Sequence, residues 1–442
     1  MDRMKKIAYI LVLFLTFSVT AQKVSNLRPG KKYQSIKFKF INNLIILPLE
    51  LNGVPGDFIL DTGVKGNILF LGENGKFFIK DSLRTVNLRG FGYGEPVKAY
   101  VSMGNTVRYK SMVLPNRDFF LLKDEKLNFS AKTGIAIHGL IGADFFRNNV
   151  IKVDYKRNKI IVYDREYFYD KKHKEDKVKK IDLVFHNDKP YMEGQVKIFE
   201  NDTAHKPVKL LIDTGGTEAL WLFKDVNKFE KLPPKYFTDL LGESLTGSIH
   251  GDKSRIETFA FGGYDFGNPI VSFLNEDVAK KAKKIKGRSG TLGAGILKRF
   301  TVWFDYRSEK MYLKKNSTYK EEFYYNMSGL EINYNGSVMV LEFRQTGVNL
   351  VESDNNLVSL DYHFALKPSY IIANVRKGSP GDLGGLKKGD VLLEIDDIAV
   401  HHKSYGDIIE HFYKKKNRRV DLLVERDGEE MYFKFHLIDE LD

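Results

Sequence analysis

The chain has 442 residues, 43% of them hydrophobic and 29% charged, with 70 Lys and Arg against 57 Asp and Glu and a formal charge of +13. That length allows roughly three globular units, and the composition excludes a disordered tail or a low-complexity fibre. There is no cysteine, so disulfides, zinc knuckles, iron–sulfur clusters and thiol catalysis are excluded.

Residues 1–6 (MDRMKK) are basic, residues 7–19 are apolar and uncharged, and Val19-Thr20-Ala21 places small residues ahead of Gln22. This pattern predicts a secretory signal over residues 1–21, with export to the periplasm or beyond. The apolar run is short for a span, and no later stretch approaches twenty apolar residues, so no integral membrane segment is expected in the mature chain. Beyond it, short apolar or alternating segments read as strands: Ile36–Phe40, Leu44–Leu49, Asp57–Leu60, Val97–Val101, Ile151–Asp154 and Ile160–Tyr163. Turn-forming clusters separate them. Helical periodicity is confined to brief pieces such as Ala143–Asn148 and Ile296–Phe300.

An internal repeat organises the chain. Phe58-Ile-Leu-Asp61-Thr62-Gly63 returns as Leu210-Leu-Ile-Asp213-Thr214-Gly215, 152 residues later. Gly139-Leu-Ile-Gly142-Ala143 returns as Gly290-Thr-Leu-Gly293-Ala294, 151 residues later. Two blocks at nearly one offset indicate that whole domains were duplicated. The predicted units are a first lobe over 22–165, a basic linker over 166–180, a second lobe over 181–318 and a third unit over 319–442.

A single Asp-Thr-Gly is no more than a turn with its own side-chain hydrogen bond. As a pair, each after a run of buried-type residues, the two place carboxylates at the ends of interior strands, where ionisation is costly unless the groups are paired or share a proton. A pseudo-twofold arrangement would bring Asp61 and Asp213 together, one as general base on a water, the other as proton donor. The sequence thereby resembles the aspartic proteases, the two-lobed pepsin and retropepsin superfamily, over about residues 33–315. The resemblance implies a mainly β, two-lobed acid-protease fold, a catalytic dyad of Asp61 and Asp213, and support from Thr62, Gly63, Thr214 and Gly215, the two threonines gripping each other. It further implies a flap, for which Gly90-Phe91-Gly92-Tyr93-Gly94 is the candidate; Gly247–Gly251 stands at the comparable place in the second lobe without a flap role. Val64 and Gly216 stand where the family commonly has Ser, Thr or Ala, and Thr291 where a larger apolar residue is usual. About forty residues separate the predicted cleavage site from Asp61, too few for a removable inhibitory prosegment followed by the first strands.

From about Ser328 a third pattern begins. Tyr370–Val375, Gly378-Ser379-Pro380, Gly384-Gly385-Leu386 and Gly389-Asp390 followed by Val391–Ile395 resemble a bacterial PDZ domain, with Gly381 and Gly384 in place of alanines. The resemblance implies an α+β unit with a second helix over Tyr405–Tyr413, closing strands over Val420–Arg426 and Tyr432–Leu437, and peptide binding by strand addition. The loop that receives a peptide carboxylate is expected near Phe364–Ser369.

The charge surplus sits in three runs, Lys171–Lys180, Glu276–Arg288 and Lys414–Arg419. They read as a linker, a solvated capped helix and a helix end, so no nucleic-acid partner is expected. No phosphate loop, His-Glu-x-x-His, calcium loop or Gly-x-Ser-x-Gly occurs, and neither cofactor nor metal is expected. The expected activity is that of an exported aspartic endopeptidase acting on peptides or unfolded proteins, with the PDZ unit binding peptide segments. The competing expectation is a catalytically silent, protease-like scaffold.

Overall fold

The computed structural model describes residues 25–71, 83–88, 96–122, 129–170, 177–224, 229, 231–244, 247–275, 285, 287–346, 359–413 and 416–442. The predicted signal segment, the Gly90–Gly94 turn and most of the 276–288 run lie outside the described residues.

The first lobe contains β1 (Tyr33–Lys37), β2 (Lys39–Ile41), β3 (Leu44–Leu51), β4 (Val54–Leu60), β5 (Asn67–Phe70), β6 (Leu83–Leu88), β7 (Val97–Tyr109), β8 (Met112–Leu122), β9 (Gly139–Ile141), β10 (Val150–Asp154) and β11 (Lys159–Tyr163). Helix α1 (Arg165–Asp170) follows. The second lobe contains β12 (Lys179–Asp182), β13 (Val184–His186), β14 (Lys189–Lys197), β15 (Lys206–Ile212), β16 (Leu220–Phe223), β17 (Tyr236–Ser244), β18 (Gly247–Arg255), β19 (Thr258–Phe261), β20 (Tyr264–Gly267), β21 (Ile270–Leu274) and β22 (Arg288–Leu292). It closes with α2 (Ala294–Leu297), β23 (Phe300–Asp305) and β24 (Lys310–Lys315).

The duplication is visible strand for strand. In the first lobe β4 runs parallel to β9, β9 antiparallel to β5, β5 parallel to β8, and β8, β7 and β6 continue antiparallel. In the second, β15 runs parallel to β22, β22 antiparallel to β16, β16 parallel to β21, and β21, β18 and β17 continue antiparallel. Matching hairpins close with residues at positive φ, Asn42 and Asn43 in one lobe and Asn187 and Asp188 in the other. Asn and Asp tolerate the left-handed region that such two-residue turns need.

A third sheet, ordered β1-β11-β10-β23-β24-β12, is shared between the lobes. Its centre is the antiparallel pair β10 and β23, with Ile151 opposite Phe304 and Val153 opposite Val302, all four fully buried. This sheet corrects the linker reading of 166–180. Residues 165–170 form α1, anchored by buried Phe168, and Lys179 and Lys180 open β12, whose Ile181 is buried while its neighbours face solvent. The predicted helix at 143–148 shortens to one 3-10 turn at Ala143–Phe145, and the one predicted at 296–300 lies earlier, as α2 at Ala294–Leu297, with Phe300 already in β23.

The third unit begins its strands at Leu330, close to the change of pattern at about Ser328. Residues 318–322 stay tied to the second lobe, because the Arg299 guanidinium donates to the carbonyls of Thr318, Tyr319 and Glu322 at 3.4, 3.2 and 3.1 Å. Then come β25 (Leu330–Thr346), β26 (Ser359–Val375), α3 (Pro380–Leu383), β27 (Val391–Ile395), β28 (Ile398–Ala399), α4 (Tyr405–Glu410), β29 (Arg419–Arg426) and β30 (Glu429–His436), in a sheet ordered β25-β26-β27-β29-β30. Ser404 caps α4 reciprocally with Asp407, the arrangement that satisfies two orphan donors at a helix start. Residues Phe364–Ser369 do not form a carboxylate-receiving loop: they lie within β26, with Phe364 opposite Leu341 and Pro368 opposite Ser337. The unit docks on the second lobe through Arg255 and Asp439 at 2.7 Å and through the Arg376 guanidinium lying 3.9 Å over the Phe237 ring. Among the described residues no helix is long and apolar enough to cross a membrane.

Candidate active site

Both Asp-Thr-Gly loops leave a strand whose last three residues, Phe58-Ile59-Leu60 and Leu210-Leu211-Ile212, are at most 4% exposed. Burial of such side chains contributes about 2 kcal/mol each, which fixes the strand ends and hence the carboxylates. Each aspartate is held from behind by the supporting strand: Asp61 N–H donates to the Ile141 carbonyl and Asp213 N–H to the Leu292 carbonyl, both at 2.9 Å.

The two loops meet as expected. Thr62 Oγ1 donates to the Ile212 carbonyl at 2.8 Å and accepts from Thr214 N–H at 3.0 Å. Thr214 Oγ1 donates to the Leu60 carbonyl at 2.8 Å and accepts from Thr62 N–H at 3.1 Å. Both threonines are fully buried. Gly63 N–H donates to Asp61 Oδ1 at 2.7 Å and Gly215 N–H to Asp213 Oδ1 at 2.9 Å. Each glycine also abuts the opposite aspartate: a Cβ at Gly63 would lie 2.7 Å from Asp213 Cγ, and one at Gly215 would lie 2.5 Å from Asp61 Cγ. Only glycine lets the carboxylates approach across the pseudo-twofold axis.

The electrostatics follow from that closeness. Burial first, then the Asp213 charge and a hydrogen bond with Asp213, push the Asp61 carboxyl well above its usual range, while Gly63 N–H and Lys189 pull it down. Two like charges brought together this way resist joint ionisation, which favours the protonated form of Asp61. The turns at the hairpin tips clasp the opposite lobe: Asn43 Nδ2 donates to the Thr217 carbonyl at 2.8 Å and Asn43 Oδ1 accepts from Lys298 at 3.1 Å. Its counterpart Asp188 pairs with Lys65 at 3.4 Å and Arg147 at 3.3 Å.

Two residues near the dyad, Lys189 and Arg288, have no signal in the sequence, and a third, Tyr306, appears there as half of the repeated Asp154-Tyr155 and Asp305-Tyr306 pair. Lys189 follows an ordinary turn; burial lowers its pKa and the two aspartates raise it. Arg288, the last residue of the basic run 276–288, opens β22, where its guanidinium donates to the Gly290 carbonyl at 3.2 Å and to Thr291 Oγ1 at 2.9 Å. That bond gives the unusual Thr291 a partner. Tyr306 is half-buried in all, its ring packs 5.1 Å from Phe146 and 4.7 Å from Phe185, and burial followed by the Asp61 and Asp213 charges pushes its hydroxyl pKa up.

The departures at Val64 and Gly216 act through the backbone, since the Val64 carbonyl accepts from Ala143 N–H at 3.0 Å and the Gly216 carbonyl from Ala294 N–H at 2.7 Å. Gly139 and Gly290 are fixed by close approach: an added Cβ would lie 2.1 Å from the Ile68 carbonyl oxygen and 1.9 Å from that of Trp221. Gly290→Ala is therefore expected to destabilise by about 3 kcal/mol, the upper range for forced overpacking, seen as a lowered denaturant midpoint; a change under about 0.5 kcal/mol would contradict it. The flap candidate Gly90–Gly94 lies outside the described residues; on either side of it β6 and β7 pair with Leu88 opposite Val97. Gly247–Gly251 forms the start of β18, paired with β17.

The fold class read from the sequence holds in its main lines: mainly β, two lobes that repeat one strand topology, then a C-terminal α+β unit. Residues 371–426 match the PDZ domain family. No curated protein matches the chain. Among solved structures, the chain is similar to the aspartic proteinase from Irpex lacteus, with a TM-score of 0.39 and 9% sequence identity over 65% of this chain and 99% of that one.

Proposed function

We propose that the chain is an exported aspartic endopeptidase that hydrolyses peptide bonds in peptides or unfolded proteins. The reading is carried by one observation, the reciprocal seating of each aspartate against the opposite Asp-Thr-Gly loop. In this reaction the ionised member of the dyad takes a proton from a water held between the carboxylates. The water oxygen bonds to the scissile carbonyl carbon while the protonated member donates to the carbonyl oxygen. The tetrahedral diol then collapses: one of its hydroxyls returns a proton to the carboxylate that had donated it, the carbon–nitrogen bond breaks, and the proton taken from water is delivered to the leaving nitrogen, which returns the dyad to its starting charge. The thiol-free composition agrees with this carboxylate route. The apolar run at residues 7–19 supports export, and Gly90–Gly94 is proposed as the flap. The PDZ unit supplies a peptide groove between β25 and α4, which recognises an extended segment by strand addition.

The test is hydrolysis of an unfolded protein by the purified mature chain across pH. A dyad sharing one proton requires intermediate protonation, so activity should rise and then fall with pH. A flat profile between pH 3 and 9 would sink the dyad mechanism. The second reading, a silent scaffold, draws on Val64 and Gly216, neither of which offers a hydroxyl to the carboxylates; complete absence of cleavage in the folded protein would favour it.

A further inference from the structure

The edge of β25 is where a peptide would add a strand, since β26 covers only its other side. At that edge the chain has already used its own groups. Leu330 N–H donates to Ser328 Oγ at 3.1 Å, and the Leu330 carbonyl accepts from Asn326 Nδ2 at 2.7 Å. The Ile332 carbonyl accepts from the Tyr405 hydroxyl of α4 at 2.9 Å. Two residues on, Tyr334 N–H donates to the carbonyl of Ala131, in the first lobe, at 2.7 Å. Lys132 pairs with Glu331 at 3.1 Å, and Gly134, at φ +69°, lies so close to α4 that an added Cβ would be 2.7 Å from Tyr405 Cβ. One short segment of the first lobe thus touches both walls of the groove.

The segment is built for the place. Gly134 N–H and Thr133 N–H both donate to the Ser130 carbonyl, at 2.9 and 3.3 Å, and Thr133 Oγ1 donates to the Phe129 carbonyl at 2.8 Å. Ala131 and Thr133 are buried. Beside it, a cavity of about 230 Å³ has the loop after Asp213, Gly215–Glu218, on one side and Leu330–Ile332, Tyr405 and Ile409 on the other. Groove and cleft therefore border one space.

The segment also leads directly to the dyad. Phe129 stacks on Phe70 with ring centroids 5.7 Å apart, Ile137 is buried, and His138 N–H donates to the Asp57 carbonyl at 2.9 Å. Immediately after comes β9, whose Ile141 carbonyl receives Asp61 N–H. Only six residues lie between Gly134 and Ile141, which carries that carbonyl.

We infer that the peptide groove of the C-terminal unit is occupied by the chain's own residues 129–134, and that a peptide binding there must displace them and thereby loosen the strand that holds Asp61. The inference rests on the PDZ reading of the groove and is independent of peptidase activity. A bound peptide replaces the Ala131 carbonyl on Tyr334 N–H and displaces Tyr405 from Ile332, so its affinity is reduced by the free energy of lifting the segment. Ligand at the C-terminal unit and order at the dyad are then coupled through one segment with two positions.

The natural chain has no thiol, so Lys132→Cys with Glu331→Cys in the full-length protein introduces the sole pair. Their ion pair is partly exposed and contributes little, and the Tyr334 backbone bond remains. A short bismaleimide is expected to link the two positions within one chain, as read by peptide mass. Single modification of both thiols without bridging would overturn the occupancy. For the coupling, amide hydrogen exchange is followed in Gly134→Ala, whose new methyl crowds Tyr405, and in Lys132→Glu, which sets two acids opposite each other and keeps the backbone unstrained. Exchange over 129–134, 330–334 and 58–63 should accelerate together, by about tenfold, while β29 keeps its protection. Acceleration confined to 129–134, with 58–63 unchanged, would overturn the coupling.

Discussion

Replacing Asp61 by Asn is expected to lower cleavage of an unfolded protein by at least about a thousandfold, the scale of a lost general acid–base group, and to make the fold less sensitive to rising pH. The amide retains an oxygen for Gly63 N–H, which now donates to Asp61 Oδ1 at 2.7 Å, so the loop has no reason to rearrange. It cannot, however, give up a proton to the substrate carbonyl oxygen or take one back. The stability effect follows from the carboxyl's raised pKa. A group that binds its proton more tightly folded than unfolded stabilises the fold fully below the ordinary carboxylate range, and that contribution is lost as pH rises through the folded value. Asn does not titrate, so the variant should lack this loss and gain stability relative to the natural chain at the upper end of the pH range. Thermal unfolding at a series of pH values, beside product formation, reads both effects. Asp213→Asn should abolish cleavage likewise. Cleavage at the natural rate in either folded variant would remove that residue from the dyad, and an unchanged pH slope of stability in Asp61→Asn would remove the shared-proton account.

The second large effect is expected at the threonine grip. Thr62→Val keeps the shape but loses the bond to the Ile212 carbonyl at 2.8 Å and the one received from Thr214 N–H at 3.0 Å. Both orphaned groups lie at a fully buried site, where each unsatisfied group costs about 1–3 kcal/mol. A loss of about 3–5 kcal/mol is therefore expected in denaturant unfolding, accompanied by lost cleavage as the two loops slip out of register. Thr62→Ser retains the hydroxyl and should cost no more than about 1 kcal/mol. If Val and Ser variants were equally stable, the grip would contribute nothing across the lobes.

The meeting of the two Asp-Thr-Gly loops was legible because its signal is local and duplicated: the two triplets and two supporting Gly-Ala turns recur at nearly one spacing. Strands with a strongly apolar pattern were legible too, Leu44–Leu49 within β3 and Ile160–Tyr163 within β11. What stayed hidden depends on partners far along the chain. Lys179–Asp182 has one buried residue, Ile181, and becomes a strand only because β24 pairs with it. Arg288 sits in a lysine-rich run whose average is that of a solvated helix, yet the Thr291 hydroxyl and the Phe223 ring 5.2 Å away hold it at the site. Lys189 reaches the dyad through a turn that nothing in its own neighbourhood distinguishes. The self-filled groove was equally invisible, since it rests on backbone groups of Ala131 and Tyr334 that any residues possess.

The sheet shared by the lobes also sets an order of assembly. Its first strand, β1, pairs with β11, so that Tyr33 meets Tyr163, and β12 pairs with β24, so that Ile181 meets Met311. Each lobe is laced shut by strands from its two ends, and the lacing of the first lobe waits until about 130 further residues exist. Such distant pairing carries a large loop-closure entropy before any contact rewards it, and it slows folding. The β10 and β23 pair adds a seam that neither lobe can form alone. The first lobe can lace itself once Tyr163 exists, whereas the seam, and with it the meeting of the two aspartates, waits for β23 near the end of the second lobe.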